Sequence, residues 1–277
     1  MTEHDIVEGT PVPRTRTSLA VNLERLGVMS GGVLIVHASL SAIGWVSGGA
    51  QAVVEALLDA LGAGGTLVMP AHSTQLTDPA GWERPPVPAR WHEAVRASLP
   101  AYDPYRTPTR DMGTVAELFR AWPGALRGAH PTLSFAALGP EAERIVFGQP
   151  LSDPLGGDGP LGHLHRLGAQ VLLLGVGYAS CTVLHLAERR AWPDGPRVDE
   201  GAPMLVDGER QWIRWRAPRL DADLFPAIGR ELEASGLVRI GLVGSASCRL
   251  MPVATAVDAA VQRWRAGTGK TSAVVGR

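Results

Sequence analysis

Short apolar runs bounded by glycine alternate along the chain with segments of helical period. The runs GGVLIVHASL (31–40) and GGTLVMPAHS (64–73) are typical of strands buried on both faces of a parallel sheet. Between them, AVVEALLDALG (52–62) repeats apolar residues every three to four positions, which predicts a helix ending at Gly62. Together these segments predict a βαβ unit.

The same alternation continues on both sides of this unit. The segment TSLAVNLERLG (17–27) predicts a short amphipathic helix with Thr17 or Ser18 as its N-cap and a glycine as its stop. An Asp-Gly pair at 207–208 stands between two strand-like stretches in residues 200–216, which predicts a hairpin. The remaining predicted elements are strands at 134–139, 170–177 and 238–251, helices at 113–124 (stopping near Pro123), 181–192, 224–236 and 252–267, and an irregular, partly helical segment at 74–112.

This order of elements predicts an α/β protein. We expect a mostly parallel central sheet flanked by helices, with a small antiparallel β element in the C-terminal half. A length of 277 residues and an apolar fraction of 45% are enough for one sizeable core. We therefore expect an N-terminal arm at 1–16, a single domain at 17–266 and a flexible tail at 267–277.

Charge and composition argue against several classes of function. The formal net charge is −1 and the basic residues are scattered, so a nucleic-acid partner is not expected. Lys270 is the only lysine, which argues against Schiff-base chemistry. The chain has no signal-peptide pattern and no run of about 18 apolar residues, so we expect a cytoplasmic protein that contacts no membrane. Cys181 and Cys248 are expected to be reduced.

The nucleotide-binding and metal-binding motifs in the sequence are incomplete. GTGKTS (267–272) lacks the glycine spacing of a P-loop, and GVGYAS (175–180) is not the full dinucleotide fingerprint. His163 and His165 point to opposite sides of their element and no Cys-x-x-Cys pair is present, so no metal is expected. Dimers are common among soluble enzymes, and a homodimer is the assembly that we favour.

His185 is the first candidate for chemistry, because it lies near the start of a helix that follows a predicted strand. Open α/β sheets hold their ligands at the carboxyl ends of strands. Glu188 lies three residues further on the same helical face, where it can orient the ring or tune its charge. The alternative interpretation is a packed histidine that only satisfies its neighbours, beside an ordinary solvated acid.

His130, His37 and Ser39 are further candidates for ligand binding. His130 precedes Pro131, which restricts its backbone to an extended conformation just before a strand. His37 and Ser39 lie at the end of the first predicted strand, where backbone N–H groups and a hydroxyl can meet a phosphate or an amide. The alternatives are that His130 caps its strand, and that His37 and Ser39 merely end theirs.

Several motifs, taken in order across about residues 17–265, resemble the aminoglycoside 3-N-acetyltransferase family. They are VHASLSAIGWVSGGAQAVVEAL, GTLVMP, TPTRDMGTVAELFR, HPTLSFAALG, VLLLGVGYASCTVLHLAE and CRLM, of which HPxxSFAA and LHLAE are specific. The resemblance implies an α/β fold different from that of the GCN5-related acetyltransferases. It also implies acetyl-CoA as cosubstrate and antibiotic resistance as the context.

The resemblance further implies direct transfer in a ternary complex, without an acetyl-enzyme intermediate. The implied acceptor is the 3-amino group of a 2-deoxystreptamine aminoglycoside. His185 matches the family histidine and would take the proton of this amine, a type of assistance typically worth about 10²–10⁴-fold in rate. The hydroxyl of Thr182, or backbone N–H groups near the helix start, would stabilise the oxyanion.

The resemblance also implies which residues bind the two substrates. Arg110 would meet a CoA phosphate, or is simply solvated. Asp78 would face the cationic acceptor, or caps a turn before Pro79. The residues implied to line the pantetheine and phosphate channel are His37, Ala38, Ser39, Leu40, Ser41, Met112, Gly113, His130, Ser134 and Phe135.

One position departs from the family pattern. Family members commonly carry a Glu or Asp after the hairpin, where this chain has Ala217. Either Asp221 or Asp223 takes over this role, or the role is lost. A cavity short of acid binds a polycation poorly, because ammonium groups that leave water need paired charge. Two alternatives therefore stay open, namely acetylation of another small amine and CoA binding without turnover.

Overall fold

The computed structural model describes residues 2–83 and 85–266. In these ranges the helices are α1 (Glu3–Glu8), α2 (Arg16–Leu26), α3 (Gly49–Leu61), α4 (His92–Ser98), α5 (Gly113–Phe119), α6 (Ala142–Val146), α7 (Pro160–Arg166), α8 (Leu184–Ala191), α9 (Phe225–Ala234) and α10 (Val253–Ala266). The strands are β1 (Val33–Ala38), β2 (Thr66–Pro70), β3 (Leu126–Arg127), β4 (Phe135–Leu138), β5 (Gln170–Leu174), β6 (Arg197–Val206), β7 (Glu209–Pro218), β8 (Arg239–Val243) and β9 (Ala246–Pro252). The tail predicted at 267–277, with its GTGKTS motif, lies outside the described residues.

The central sheet has the strand order β3-β4-β2-β1-β5-β9-β8. Strand β1 pairs in parallel with β2 and β5, whereas the pairs β2-β4, β3-β4, β5-β9 and β8-β9 are antiparallel. Among the described strands of this sheet, β4 and β9 therefore run against the others, and most strands share one direction. Strands β6 and β7 form a separate hairpin whose turn holds Asp207 and Gly208, both at positive φ. The predicted fold class is confirmed.

The start of helix α2 differs from the prediction. Thr15, not Thr17 or Ser18, is the N-cap, and its side chain accepts a hydrogen bond from the backbone N–H of Ser18. The Ser18 hydroxyl oxygen in turn accepts from the backbone N–H of Thr15, which completes a capping box. Gly27 ends the helix with φ 104, as predicted, because glycine enters the left-handed region without a side-chain clash.

The single strand predicted at 238–251 is wrong, because this segment forms the hairpin β8-β9. Gly244 turns the chain with φ 61, and the backbone N–H of Ser245 donates to the carbonyl of Ile43. Helices α1, α6 and α7 have no counterpart among the predicted elements. For α7 a signal was present, since Pro160 occupies the first helical position, where a missing N–H does no harm.

Alternation of side chains along the strands divides the core between the two faces of the sheet. On β1, Leu34 and Val36 pack in a core with residues of α2, α3 and α5. Ile35 packs on the opposite face, in a core with residues of α7, α8, α9 and α10. Because helices cover both faces, a ligand reaches the sheet at the ends of its strands.

A buried guanidinium ties together the segments at the carboxyl end of β2. Arg127 of β3 is 7% exposed. Its nitrogens donate hydrogen bonds to the carbonyl oxygens of Ala71 and Thr107. They also donate to the hydroxyls of Ser73 and Ser134. These acceptors are neutral, so the buried charge is stabilised by hydrogen bonds, and each of them has to be in place.

Replacing Arg127 with Met should lower the free energy of unfolding by about 3 kcal/mol, because several buried acceptors lose their donor at once. Urea unfolding followed by circular dichroism measures this loss. Arg144→Met is the matched control, since Arg144 is exposed and pairs with Glu141 one helical turn away. The control should change stability by less than about 0.5 kcal/mol. Equal stabilities of the two variants would contradict the role of Arg127.

Candidate active site

The carboxyl ends of β1, β2 and β5 open into a cavity of about 800 Å³, here called the main cavity. A volume of this size is typical of sites for cofactors and other small molecules. Ile6 of α1 and Gly113 at the start of α5 add to its wall. The predicted site residues that line the main cavity are His37, Ala38, Ser39, Leu40, Ser41, Met112, Gly113, Thr182 and His185.

His185 is held in one orientation by a neighbouring acid. Its Nδ1 lies 3.0 Å from Oε2 of Glu188, which is itself buried in helix α8. The ring also meets the edge of Phe225, with 4.7 Å between the centroids. A carboxylate can only accept hydrogen bonds, so Nδ1 carries the proton of the neutral ring, and Nε2 then has a free lone pair. This arrangement equips His185 to take a proton from a ligand in the main cavity.

Two more histidines line the main cavity, and one of them escaped the sequence analysis. Burial lowers the pKa of His37 to about 4. His72 follows β2, and burial together with the nearby rings of His37 and His185 lowers its pKa to about 3. The strand-end argument that selected His37 applies equally to His72, since β2 ends at the same edge of the sheet. Both rings are therefore neutral at physiological pH.

A second cavity of about 290 Å³ lies beside the β6-β7 hairpin and is here called the hairpin cavity. Its walls include His130, Glu200, Trp215 and Ala217. His130 meets Trp215 edge to face with 5.9 Å between the centroids, and its Nδ1 accepts backbone N–H groups of residues 132 and 133. Burial lowers the pKa of His130 to about 4. His130 therefore lies on the hairpin side of the site and not in the main cavity.

Three residues predicted to bind CoA are not placed on the wall of either cavity. Ser134 is fully buried, and its hydroxyl donates to the carbonyl of Ala71. Phe135 is also fully buried and meets the ring of His72 edge to face, with 5.5 Å between the centroids. Arg110 pairs with Asp111 at 3.6 Å. Ser134 and Phe135 thus support the end of β2 from the core.

Two of the three predicted substrate acids accept hydrogen bonds within the protein. Asp78 makes two hydrogen bonds with Arg96, of 2.9 and 2.7 Å. Partial burial alone would raise the pKa of Asp78, but the bonds from Arg96 outweigh it and lower the pKa below its usual value. Asp221 accepts the backbone N–H of Asp223 at 3.0 Å, and Asp223 is exposed. The structure places none of these acids on the wall of the hairpin cavity, where Ala217 lies.

Other reactive groups are limited. Cys181 and Cys248 are buried free cysteines, as expected. Burial raises the pKa of the Cys181 thiol to about 12, which makes it a poor nucleophile. Among the described residues, no group of three or more His, Cys, Asp or Glu side chains is arranged to hold a metal ion. None of the helices within 2–83 and 85–266 is long and apolar enough to cross a membrane.

Burial of neutral histidines predicts a fold that loses stability in mild acid. An unfolded histidine takes up a proton near pH 6.5, whereas His37, His72 and His130 have folded pKa values of about 4, 3 and 4. Their stabilising contribution is complete above pH 6.5. It is lost as pH falls from there towards the folded pKa, at roughly 1 kcal/mol per pH unit for each histidine.

Urea unfolding at a series of pH values between about 7 and 5 measures this slope. His72→Gln should flatten the slope relative to the unmodified protein, because one buried neutral imidazole is gone. His4→Gln replaces an exposed histidine of α1 and should leave the slope unchanged. Parallel slopes for His72→Gln and the unmodified protein would show that His72 does not stay neutral on folding.

Known proteins resemble this chain over most of its length. Residues 35–265 match the profile of the family described as aminoglycoside 3-N-acetyltransferase. The chain is 44% identical over 260 residues to the SPbeta prophage-derived aminoglycoside N(3')-acetyltransferase-like protein YokD of Bacillus subtilis (strain 168), which covers 94% of this chain and 95% of the relative. It is 38% identical to aminoglycoside N(3)-acetyltransferase VIII of Streptomyces fradiae over an alignment of 278 positions. This alignment covers 95% of this chain and 96% of the relative.

Solved structures share the fold. The crystal structure of YokD from Bacillus subtilis has a TM-score of 0.91 at 43% identity and covers 94% of this chain and 96% of that one. AAC-IIIb in a binary complex with CoASH has a TM-score of 0.82 at 33% identity, and the match covers 94% of this chain and 100% of that one. AAC-VIa bound to sisomicin has a TM-score of 0.84 at 30% identity, and the match covers 93% of this chain and 100% of that one. The chain therefore belongs to the aminoglycoside 3-N-acetyltransferase family and is an acetyltransferase.

Proposed function

We propose that this acetyltransferase moves the acetyl group of acetyl-CoA directly to the 3-amino group of a 2-deoxystreptamine aminoglycoside. The observation that carries the proposal is His185 on the wall of the main cavity, with its Nδ1 hydrogen-bonded to Glu188. The complexes of AAC-IIIb with CoASH and of AAC-VIa with sisomicin support the choice of the two substrates. Acetylation removes a positive charge from the antibiotic, so resistance is the biological role that fits this reaction.

The main cavity suits the acyl donor in size and lining. Leu40 and Met112 offer apolar surface for a pantetheine arm, and the hydroxyl oxygens of Ser39 and Ser41 lie 3.2 Å apart at the end of β1. We assign residues 37–41, Met112 and Gly113 to the acyl donor. Arg110 is close in the chain to these lining residues and would supply a cation for a CoA phosphate.

His185 acts as the general base in this proposal. An aliphatic ammonium has to lose a proton before its nitrogen can attack the thioester carbonyl. Nε2 of His185 takes this proton, and Glu188 stabilises the imidazolium charge through its hydrogen bond to Nδ1. A nitrogen–carbon bond forms and the carbon–sulfur bond breaks. The departing thiolate takes the proton back from His185, and the nitrogen releases its second excess proton to the solvent as it becomes an amide.

A covalent acetyl-enzyme is not needed for this chemistry. Cys181 lies next to Thr182 in the chain, but burial keeps its thiol protonated and unreactive. Thr182 lines the main cavity one helical turn before His185. Its hydroxyl is our candidate donor to the thioester oxygen as negative charge develops there.

A different small amine is the second candidate acceptor, and one observation favours it. Ala217 brings no charge to the hairpin cavity, while Asp78 is already bound to Arg96. A polycationic aminoglycoside leaves water readily only where its ammonium groups find paired charge. The acetyl donor and the base would be the same for either acceptor.

The purified protein should release CoA from acetyl-CoA in the presence of aminoglycosides with a free 3-amino group, and not with aminoglycosides that lack it. A thiol reagent measures the released CoA. Release confined to other small amines would move the assignment to the second acceptor. Binding of acetyl-CoA without release for any amine would contradict both and indicate a CoA-binding protein.

His185→Ala should lower kcat by about 10²–10⁴-fold while acetyl-CoA binding is retained, because the base is removed. A melting curve shows that the variant is folded. Glu188→Gln should lower kcat by about tenfold and change its pH profile, since a neutral amide stabilises the imidazolium less well. Steady-state CoA release measures both effects. His165→Ala is the control and should keep normal turnover, because His165 of α7 is not among the residues that line the main cavity. Full activity of a folded His185→Ala protein would exclude His185 as the base.

A further inference from the structure

The β6-β7 hairpin places one acid on the face that lines the hairpin cavity. Val198 pairs with Ala217, and Glu200 pairs with Trp215 across the two strands. Side chains alternate along a strand, so these residues share one face of the hairpin. All four line the hairpin cavity. Glu200 is therefore a diagonal neighbour of Ala217, within reach of the same ligand.

The carboxyl group of Glu200 has no protein partner in the part of the chain that the structure describes. The residue is half-buried, and its carboxyl group makes no hydrogen bond or ion pair with residues 2–83 or 85–266. Asp153, the other acid on the cavity wall, receives a hydrogen bond from Arg189 at 3.1 Å. Burial, and to a smaller extent the nearby Asp78, raise the pKa of Glu200. A cation bound in the cavity would relieve this unfavourable environment of the carboxylate.

The surroundings of Glu200 suit an ammonium group. Trp215 lies directly opposite Glu200 on the neighbouring strand and offers an aromatic ring to a cation. His130, against the ring of Trp215, is neutral because burial lowers its pKa to about 4. Arg219 is the positively charged side chain among the described wall residues, and it is exposed. Attraction by Glu200 is thus the main charge effect on a cation at this face.

Hydrogen bonds link the wall of the hairpin cavity to the proposed base. Leu220 lines the cavity, and the next residue, Asp221, has its backbone N–H 3.5 Å from Oε2 of Glu188. The same Oε2 lies 3.0 Å from Nδ1 of His185. A molecule that reaches from the hairpin cavity towards His185 could offer one amine to the base and keep another near Glu200.

We propose that Glu200 is the specificity-determining acid for the acceptor, taking from strand β6 the role that Ala217 cannot play on β7. It pairs with a second ammonium group of the acceptor, one that is not acetylated. The preferred acceptor class is therefore amines with at least two amino groups. This inference rests on the proposed function, since it assumes that the acceptor approaches His185 from the hairpin cavity.

Glu200→Gln tests this role, with sisomicin as the acceptor in steady-state CoA release. The KM for sisomicin should rise about tenfold or more with kcat changed less than about twofold, and the KM for acetyl-CoA should stay the same. Glu209→Gln is the matched control, because Glu209 is an exposed acid at the start of β7 in the same hairpin. It should leave all three constants unchanged. Ala217→Glu added to Glu200→Gln should restore the KM for sisomicin.

Calorimetric titration of sisomicin into each variant separates failure of this inference from failure of the proposed function. Weaker binding by Glu200→Gln in a protein that never acetylates sisomicin would keep Glu200 as the acceptor-binding acid and overturn the reaction. Normal acetylation with the same KM in Glu200→Gln and Glu209→Gln would keep the reaction and overturn the role of Glu200. No binding of sisomicin by the unmodified protein would also overturn it. Melting curves confirm that each variant is folded.

Discussion

The buried guanidinium of Arg127 is the contact on which the rest of the site depends. It holds Ala71 and Ser73, the residues on either side of His72, and also Ser134 at the start of β4. A charge buried among neutral groups is tolerated only if its hydrogen bonds are satisfied. The end of β2, the entry to β4 and the loop before α5 are therefore fixed relative to each other before any ligand binds. This fixed edge is what the proposed base faces.

Charge is divided unevenly between the two cavities. In the main cavity, burial keeps His37 and His72 neutral, so they do not repel a cationic amine that approaches His185. Among the described histidines on the wall of the main cavity, His185 is the one supported by a carboxylate, and it is the ring that has to become positive during the proposed reaction. On the wall of the hairpin cavity, the acid whose carboxyl group makes no hydrogen bond or ion pair with the described residues is Glu200. In the proposed reaction, proton transfer and cation binding therefore use different acids.

The sequence pattern was sufficient for the parts of the structure that depend on local rules. Buried apolar runs gave the parallel strands, and the end of a strand followed by a helix led to His185. The same rule could have found His72. Arg127 could not be found in this way, because it lies in a two-residue strand with no apolar period and its partners are distant in the chain. The turn at Gly244 could also have been found, because Gly244 and Ser245 form a two-residue hairpin signal between two strand-like stretches.

Glu200 illustrates a further limit, since its role depends on the register between two strands. The Asp-Gly turn fixes the pairing of ten residues on each strand, and a slip by one residue would move Glu200 to the outer face. With the register fixed, an acid on β6 and an acid at position 217 of β7 present their charge to the same cavity. Under the role proposed for Glu200, the acid that the family resemblance implied at position 217 of β7 is supplied from β6 on the same face of the hairpin. The face of the hairpin then defines this position better than a residue number does.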